Sequence, residues 1–201
     1  MMKKVCFLGV FICVAFFAKA QSSDSLGLFR QYDSMMNQYK SAKSNYDTKK
    51  EKLESLKTAA VEISSLSVSG ATEKSKAMAA AKLEKEKAAL ELSAKKKAVT
   101  EVAEKANKVY QEKFNSANAA LQNANAAVTA KEQTVKSLKS KEAKAKGKAK
   151  AAITKELGLE KSNLLTLANK QTEAKKSFEA ADANAKKSSE NLKAASTLVV
   201  E

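Results

Sequence analysis

Leu28-Phe29-Arg30-Gln31-Tyr32-Asp33-Ser34-Met35-Met36-Asn37-Gln38-Tyr39-Lys40-Ser41-Ala42-Lys43-Ser44-Asn45-Tyr46, residues 28–46, decides the fold. A tyrosine returns every seventh residue at positions 32, 39 and 46, and the same phase passes on to Leu53 and Ala60. Leu28, Met35, Ala42, Leu56 and Ile63 hold a second phase three residues after the first, interrupted by Lys49. Two apolar positions per heptad, sustained over five heptads with that one polar intruder, make the seam of a coiled coil. A disordered lysine- and serine-rich segment has no reason to keep that spacing. The first helix is therefore expected over about residues 24–65, with an N-cap within Ser23-Asp24-Ser25.

The seam fails in Ser64-Ser65-Leu66-Ser67-Val68-Ser69-Gly70, where Gly70 suits a left-handed helix terminator and Thr72-Glu73 can start a new helix. A second helix is expected over about 72–143. Its seam combines Met78, Leu92, Val99 and Ala106 with Ala81, Ala88, Val102 and Val109. It then slips by one residue to Phe114, Leu121, Val128 and Val135, accompanied by Ala117, Ala124 and Leu138. Such a slip is a local change of supercoil, with a kink possible near Asn115 and Asn118. Glu91–Lys95, Glu101–Lys105, Glu104–Lys108, Glu132–Lys136 and Glu142–Lys146 are spaced to support the helix as i,i+4 pairs.

A third helix, about 150–199, follows a turn expected near Gly147. Its seam is Leu157, Leu164, Phe178, Ala185, Leu192 and Val199, with Leu167, Ala174, Ala181 and Ala195 three residues on and Gln171 as the polar intruder. The expected fold class is all-α: long antiparallel helical hairpins forming an elongated coiled-coil rod of about three helices. Folding back at both turns gives neighbours on two sides only to the middle of the second helix. Alanine fills much of the seam and buries little area, so self-association through the coiled coil is expected. Lys49, Lys85, Lys113 and Lys131 at seam positions would fix register or loosen the packing.

Ahead of the first helix lies a leader. Lys3 and Lys4 precede the apolar run Val5–Phe17, and Ala18-Lys19-Ala20 supplies a small-x-small cleavage pattern. Residues 1–20 thus read as a cleaved signal peptide, with Ala18, Ala20 and Gln21 at the junction and residues 21–201 as a single elongated coiled-coil domain. The apolar run is shorter than the roughly 20 residues a membrane-spanning helix needs, and no second one follows. The expected location is periplasmic or extracellular, with no transmembrane segment after cleavage. Cys6 and Cys13 leave with the leader, so the mature chain would have no disulfide.

Cleavage removes Lys3, Lys4 and Lys19 but no acid, lowering the net charge from +15 to +12. Arg30 is the one arginine, and lysine gives diffuse attraction to polyanions in place of forked, specific recognition. No specific nucleic acid partner is expected. The strongest basic cluster is Lys136, Lys139, Lys141, Lys144, Lys146, Lys148 and Lys150, opposed only by Glu142. It reads either as a solvated helix end and turn or as a polyanion-binding surface for anionic envelope components. Lys95-Lys96-Lys97 is a weaker charge run on a helix face. The tyrosine ladder reads as core, with a ligand-stacking face as its alternative.

Catalysis finds no support in these residues. The chain has no His, Trp or Pro, the mature chain has no Cys, and the carboxylates are dispersed along helices. Asp182 and Glu179 lie one turn apart, a common spacing on a polar helix face. No nucleotide, calcium or zinc spacing occurs, and no catalytic, cofactor or metal site is expected. The expected role is that of an exported, non-catalytic, structural or scaffolding coiled coil.

In composition and helicity the chain resembles the periplasmic Skp/OmpH-like chaperones, which are exported, strongly basic and of similar length, with long helical arms. The resemblance implies a holdase role with unfolded client proteins as partners. Those proteins also carry a small β-rich trimerisation body, whereas Gln21–Arg30 holds no strand-like run and Thr197-Leu198-Val199-Val200 is the one short candidate.

Overall fold

The computed structural model describes the backbone of residues 10–62 and 68–200, and the side chains of residues 27–59 and 72–200. Its elements are α1 (Val10–Glu62), α2 (Val68–Lys144) and α3 (Gly147–Ser196). The described residues contain no strand, Thr197–Val200 included, so the chain is all-α with three helices. Long runs of Ala, Lys, Glu and Leu without proline sustain helices of this length.

The helix starts differ from expectation. The backbone is helical from Val10, so Ser23–Ser25 lie inside α1 and do not cap it. No glycine or proline falls between Val10 and Leu26 to stop the helix. Residues 1–9 of the expected leader lie outside the described residues, and at Ala18, Ala20 and Gln21 only a helical backbone is described. Gly70 is no terminator either: α2 begins at Val68 and takes Gly70 into its first turn. α1 is described as far as Glu62, and residues 63–67 lie outside the described residues. The turn near Gly147 is real. Ala145 and Lys146 alone join α2 to α3, and the amide of Ala145 bonds the carbonyls of Lys141 (3.1 Å) and Glu142 (3.3 Å). Gly147 then takes φ of 60°, a left-handed value that β-carbons disfavour.

The chain forms two compact units. One comprises α1, α2 as far as Asn107, and the chain from Ser188 onward. Here α1 runs antiparallel to α2: Lys49 bonds Glu84 at 3.1 Å, Gln38 accepts from Lys95 at 3.0 Å, and the Ala59 carbonyl accepts from Lys74. The end of α3 lies parallel to α1, since the Tyr32 hydroxyl donates to the Asn191 carbonyl (3.2 Å) and Tyr39 to the Val199 carbonyl (2.8 Å). Tyr32, Tyr39, Tyr46, Leu92, Val99, Ala103 and Ala195 form the core where the three helices meet. The slipping seam does not interrupt α2, which is one continuous helix.

The other unit, Lys108–Lys187, is an antiparallel hairpin of α2 and α3. Val135, Leu138 and Leu157 are its buried cluster near the turn, with Ile153 and Leu164 packed against them. Farther along, the rings of Phe114 and Phe178 meet at 5.4 Å, inclined by 41°. Asn125 accepts from Gln171 at 2.8 Å, so the polar intruder of the third seam has a partner on the opposite helix.

Two core features depart from the expected seams. Ala103 and Tyr110 are buried although the second seam was assigned to Val102 and Val109, which are half-buried. A helix with two neighbours needs an apolar face wider than one heptad seam. Val199 is 50% exposed, because α3 ends at Ser196 and the seam phase ends with it. Leu198 and Val200 pack on the core instead.

Gly147 and Gly158 both have open space where a β-carbon would go, so only backbone conformation separates them. Gly147→Ala is expected to lower stability by about 1–2 kcal/mol. Gly158→Ala, in mid-helix, is expected to raise it by about 1 kcal/mol. Urea unfolding followed by circular dichroism checks both signs.

Candidate polyanion-binding site

The last turn of α2, the connection and the first turns of α3 bring the seven lysines of the basic cluster to one end of the second unit. Lys136, Lys139, Lys141 and Lys144 come from α2, Lys146 from the connection, and Lys148 and Lys150 from α3. All seven are exposed. Among the described residues, none of the seven side-chain ammonium groups is seen in a hydrogen bond, an ion pair or a ring contact. Glu142, the single acid of the stretch, accepts a hydrogen bond from the Thr154 hydroxyl on α3 at 2.5 Å. Thr154 was not singled out by sequence. It lies twelve residues from Glu142, so the contact requires the turn to be known.

The two helix ends are not equivalent. Lys141 and Lys144 occupy the last turn of α2, where the negative end of the helix dipole favours cations. Lys148 and Lys150 stand at the start of α3, where the dipole favours acids and the first turn contains none. The first pair is explained by helix stability; the second opposes it.

Several lysines elsewhere are tied to neighbours. Lys49 and Lys52 share Glu84 at 3.1 and 3.5 Å, and Lys131 bridges to Glu160 at 2.5 Å. Lys43 and Lys85 flank the Tyr46 ring at 5.7 and 5.9 Å, and Lys113 lies 5.9 Å from the Tyr110 ring. The seam lysines therefore fasten the helices or cover aromatic faces. The i,i+4 pairs expected on α2 are rearranged: Glu101 approaches Lys97 at 3.9 Å, and Lys95 reaches across to Gln38. Lys95-Lys96-Lys97 is thus partly engaged within the fold.

Hydrogen bonds from Lys49 and Lys131 hold the carboxyls of Glu84 and Glu160 below the usual carboxylate range, an effect opposed at both by slight desolvation. Because the folded pKa values are lowered, this support is full above the ordinary carboxylate pKa. It is lost as pH falls through the lowered values.

The remaining candidates are placed as follows. Tyr32, Tyr39, Tyr46 and Leu53 are buried along α1. Burial, reinforced by the charge of Asp33, raises the pKa of Tyr32. Val128, Val135 and Leu157 are buried, while Phe114, Leu121, Leu164, Phe178 and Leu192 are half-buried. Asp182 pairs with Lys186 at 2.7 Å. Among the described residues no group of three or more His, Cys, Asp or Glu side chains could hold a metal, and no helix is long and apolar enough to cross a membrane. No protein-family model, curated protein or solved structure matches the chain.

If Lys148 and Lys150 oppose stability, Lys148→Glu and Lys150→Glu will each raise it, by about 0.3–1 kcal/mol. Lys131→Gln breaks the tie to Glu160 and will lower the thermal midpoint. Thermal melts at low salt distinguish the two classes of lysine; stabilisation by Lys131→Gln would contradict the division.

Proposed function

We propose that this chain is an exported, non-catalytic coiled-coil protein with a structural or scaffolding role in the cell envelope or extracellular space, assembled through contacts between copies. The observation that carries the reading is the way its polar side chains are used. Tyr32, Tyr39, Lys49, Lys95, Lys131 and Gln171 each bond across from one helix to another. The surface hollows near Lys96 and Thr100, and near Asn37 and Gln38, are lined by Ser, Lys, Asn and Glu with a few alkyl groups.

Assembly is supported by leucines left outside the core. Leu83 and Leu90 of α2 are 52% and 72% exposed and stand seven residues apart, the spacing of a second heptad stripe. Among the described residues nine of the buried apolar side chains are alanines, which bury little area each, so added burial between copies would strengthen a thin core. A second copy offers the same spacing in return, which an isologous contact requires.

Sedimentation velocity across a concentration series tests this directly. The processed chain is expected to associate, while Leu83→Gln with Leu90→Gln is expected to shift it to monomer with an unchanged helical signal. A monomer at all concentrations that instead keeps a denatured outer-membrane protein soluble would replace the scaffold by a holdase.

A further inference from the structure

We propose that the lysine-rich end of the α2–α3 hairpin is a docking surface for phosphate-bearing lipid head groups, which it meets end-on. This goes beyond the scaffolding role and stands on different residues.

Apart from the dipole contact of Lys141 and Lys144 at the end of α2, the fold makes no use of these lysines. Elsewhere several lysine side chains bridge to Glu84 and Glu160, donate to Gln38 or lie against tyrosine rings, and those without such contacts are spread along the helices. Residues 136–150 carry seven exposed lysines and one carboxylate, Glu142, which is bonded to Thr154. Lys148 and Lys150 occupy helix positions where acids would stabilise α3. Repulsion among neighbouring cations and an unfavourable dipole interaction are both costs to the free protein. An anionic surface removes both.

The composition of this end selects the partner. From Lys131 to Glu160 there is no aromatic residue for stacking a base and no arginine for a forked phosphate contact. Lysines act as mobile point charges, which suits a fluid array of head groups, and clusters of four to eight are typical of such contacts. Their placement agrees. At 3.6 residues per turn, Lys136, Lys139, Lys141 and Lys144 fan over about 200° of the α2 surface, so a linear polymer along one line would meet only some of them. A plane touching the hairpin end meets the last turn of α2, Lys146 and the first turn of α3 together. The apolar side chains in the turns next to the connection are alanines or belong to the cluster of Leu138, Ile153 and Leu157, and the exposed Leu159 stands about three turns into α3, away from a plane at the hairpin end. Attachment is therefore peripheral and reversed by salt.

The test is co-sedimentation of the processed protein with phosphatidylcholine vesicles, with and without phosphatidylglycerol, at low and high salt. One variant carries Lys144→Gln, Lys146→Gln, Lys148→Gln and Lys150→Gln. A charge-matched control carries Lys87→Gln, Lys105→Gln, Lys161→Gln and Lys176→Gln, all at exposed helix positions. Circular dichroism verifies that both keep the parent helical signal. The expected result is salt-reversible binding only to phosphatidylglycerol vesicles, weakened about 100-fold in the first variant and nearly unchanged in the control. Equal weakening in both variants would reduce the effect to net charge and overturn the proposal. So would absence of binding to phosphatidylglycerol vesicles, or stronger hairpin-dependent binding to a single-stranded oligonucleotide. Self-association is read separately by sedimentation velocity, so failure here leaves the scaffolding role standing.

Discussion

Three tyrosines on one face of α1 organise the first unit. Each buries a large ring where neighbouring seams are largely alanine, and two of them end in hydroxyls that reach α3 backbone carbonyls. Tyrosine is well suited to this place because its ring fills the apolar seam while its hydroxyl finds a polar partner at the edge. The Asn191 carbonyl belongs to α3, and the Val199 carbonyl lies three residues beyond its end at Ser196. The tyrosines thus set the alignment of α1 with α3 and with the segment that follows it. Replacing them with leucine would retain the apolar seam but lose that alignment.

Thin cores require specificity from elsewhere. Alanine seams slide easily, because one alanine packs much like the next. Here the discriminating contacts are polar: Lys49 and Lys52 on Glu84, Gln38 with Lys95, Asn125 with Gln171, and Lys131 with Glu160. Exposed ion pairs contribute little net stability, but a one-turn slip would break several of these contacts together. Asn191 marks the other side of this economy, as its side-chain nitrogen is buried without a hydrogen-bond partner.

The heptad spacing made the helices legible in the sequence, and Gly147 made the second turn legible. Boundaries were less so. Gly70 resembled a terminator because glycine tolerates left-handed backbone, but an isolated glycine is also tolerated within a first helical turn. The buried Ala103 and Tyr110 escaped a one-seam reading because that pattern describes a helix with one neighbour. The basic cluster was visible as a run of letters, yet the contrast between Lys131, which is bridged, and Lys144, which is not, needs the positions of Glu160 and Glu142. Sequence gives charge; only geometry says which charges are already answered.

In the second unit, the cross-helix partners mirror one another about the Ala145-Lys146 connection, from Glu142 with Thr154 out to Phe114 with Phe178. Seven residues inserted in α2 and seven at the matching place in α3 would restore the seam and every pairing beyond them. A single-helix insertion, or one of any other size, would put apolar residues opposite polar ones. Length in this hairpin can therefore vary most readily in paired whole heptads, and the lysine-bearing end is then kept without being redesigned.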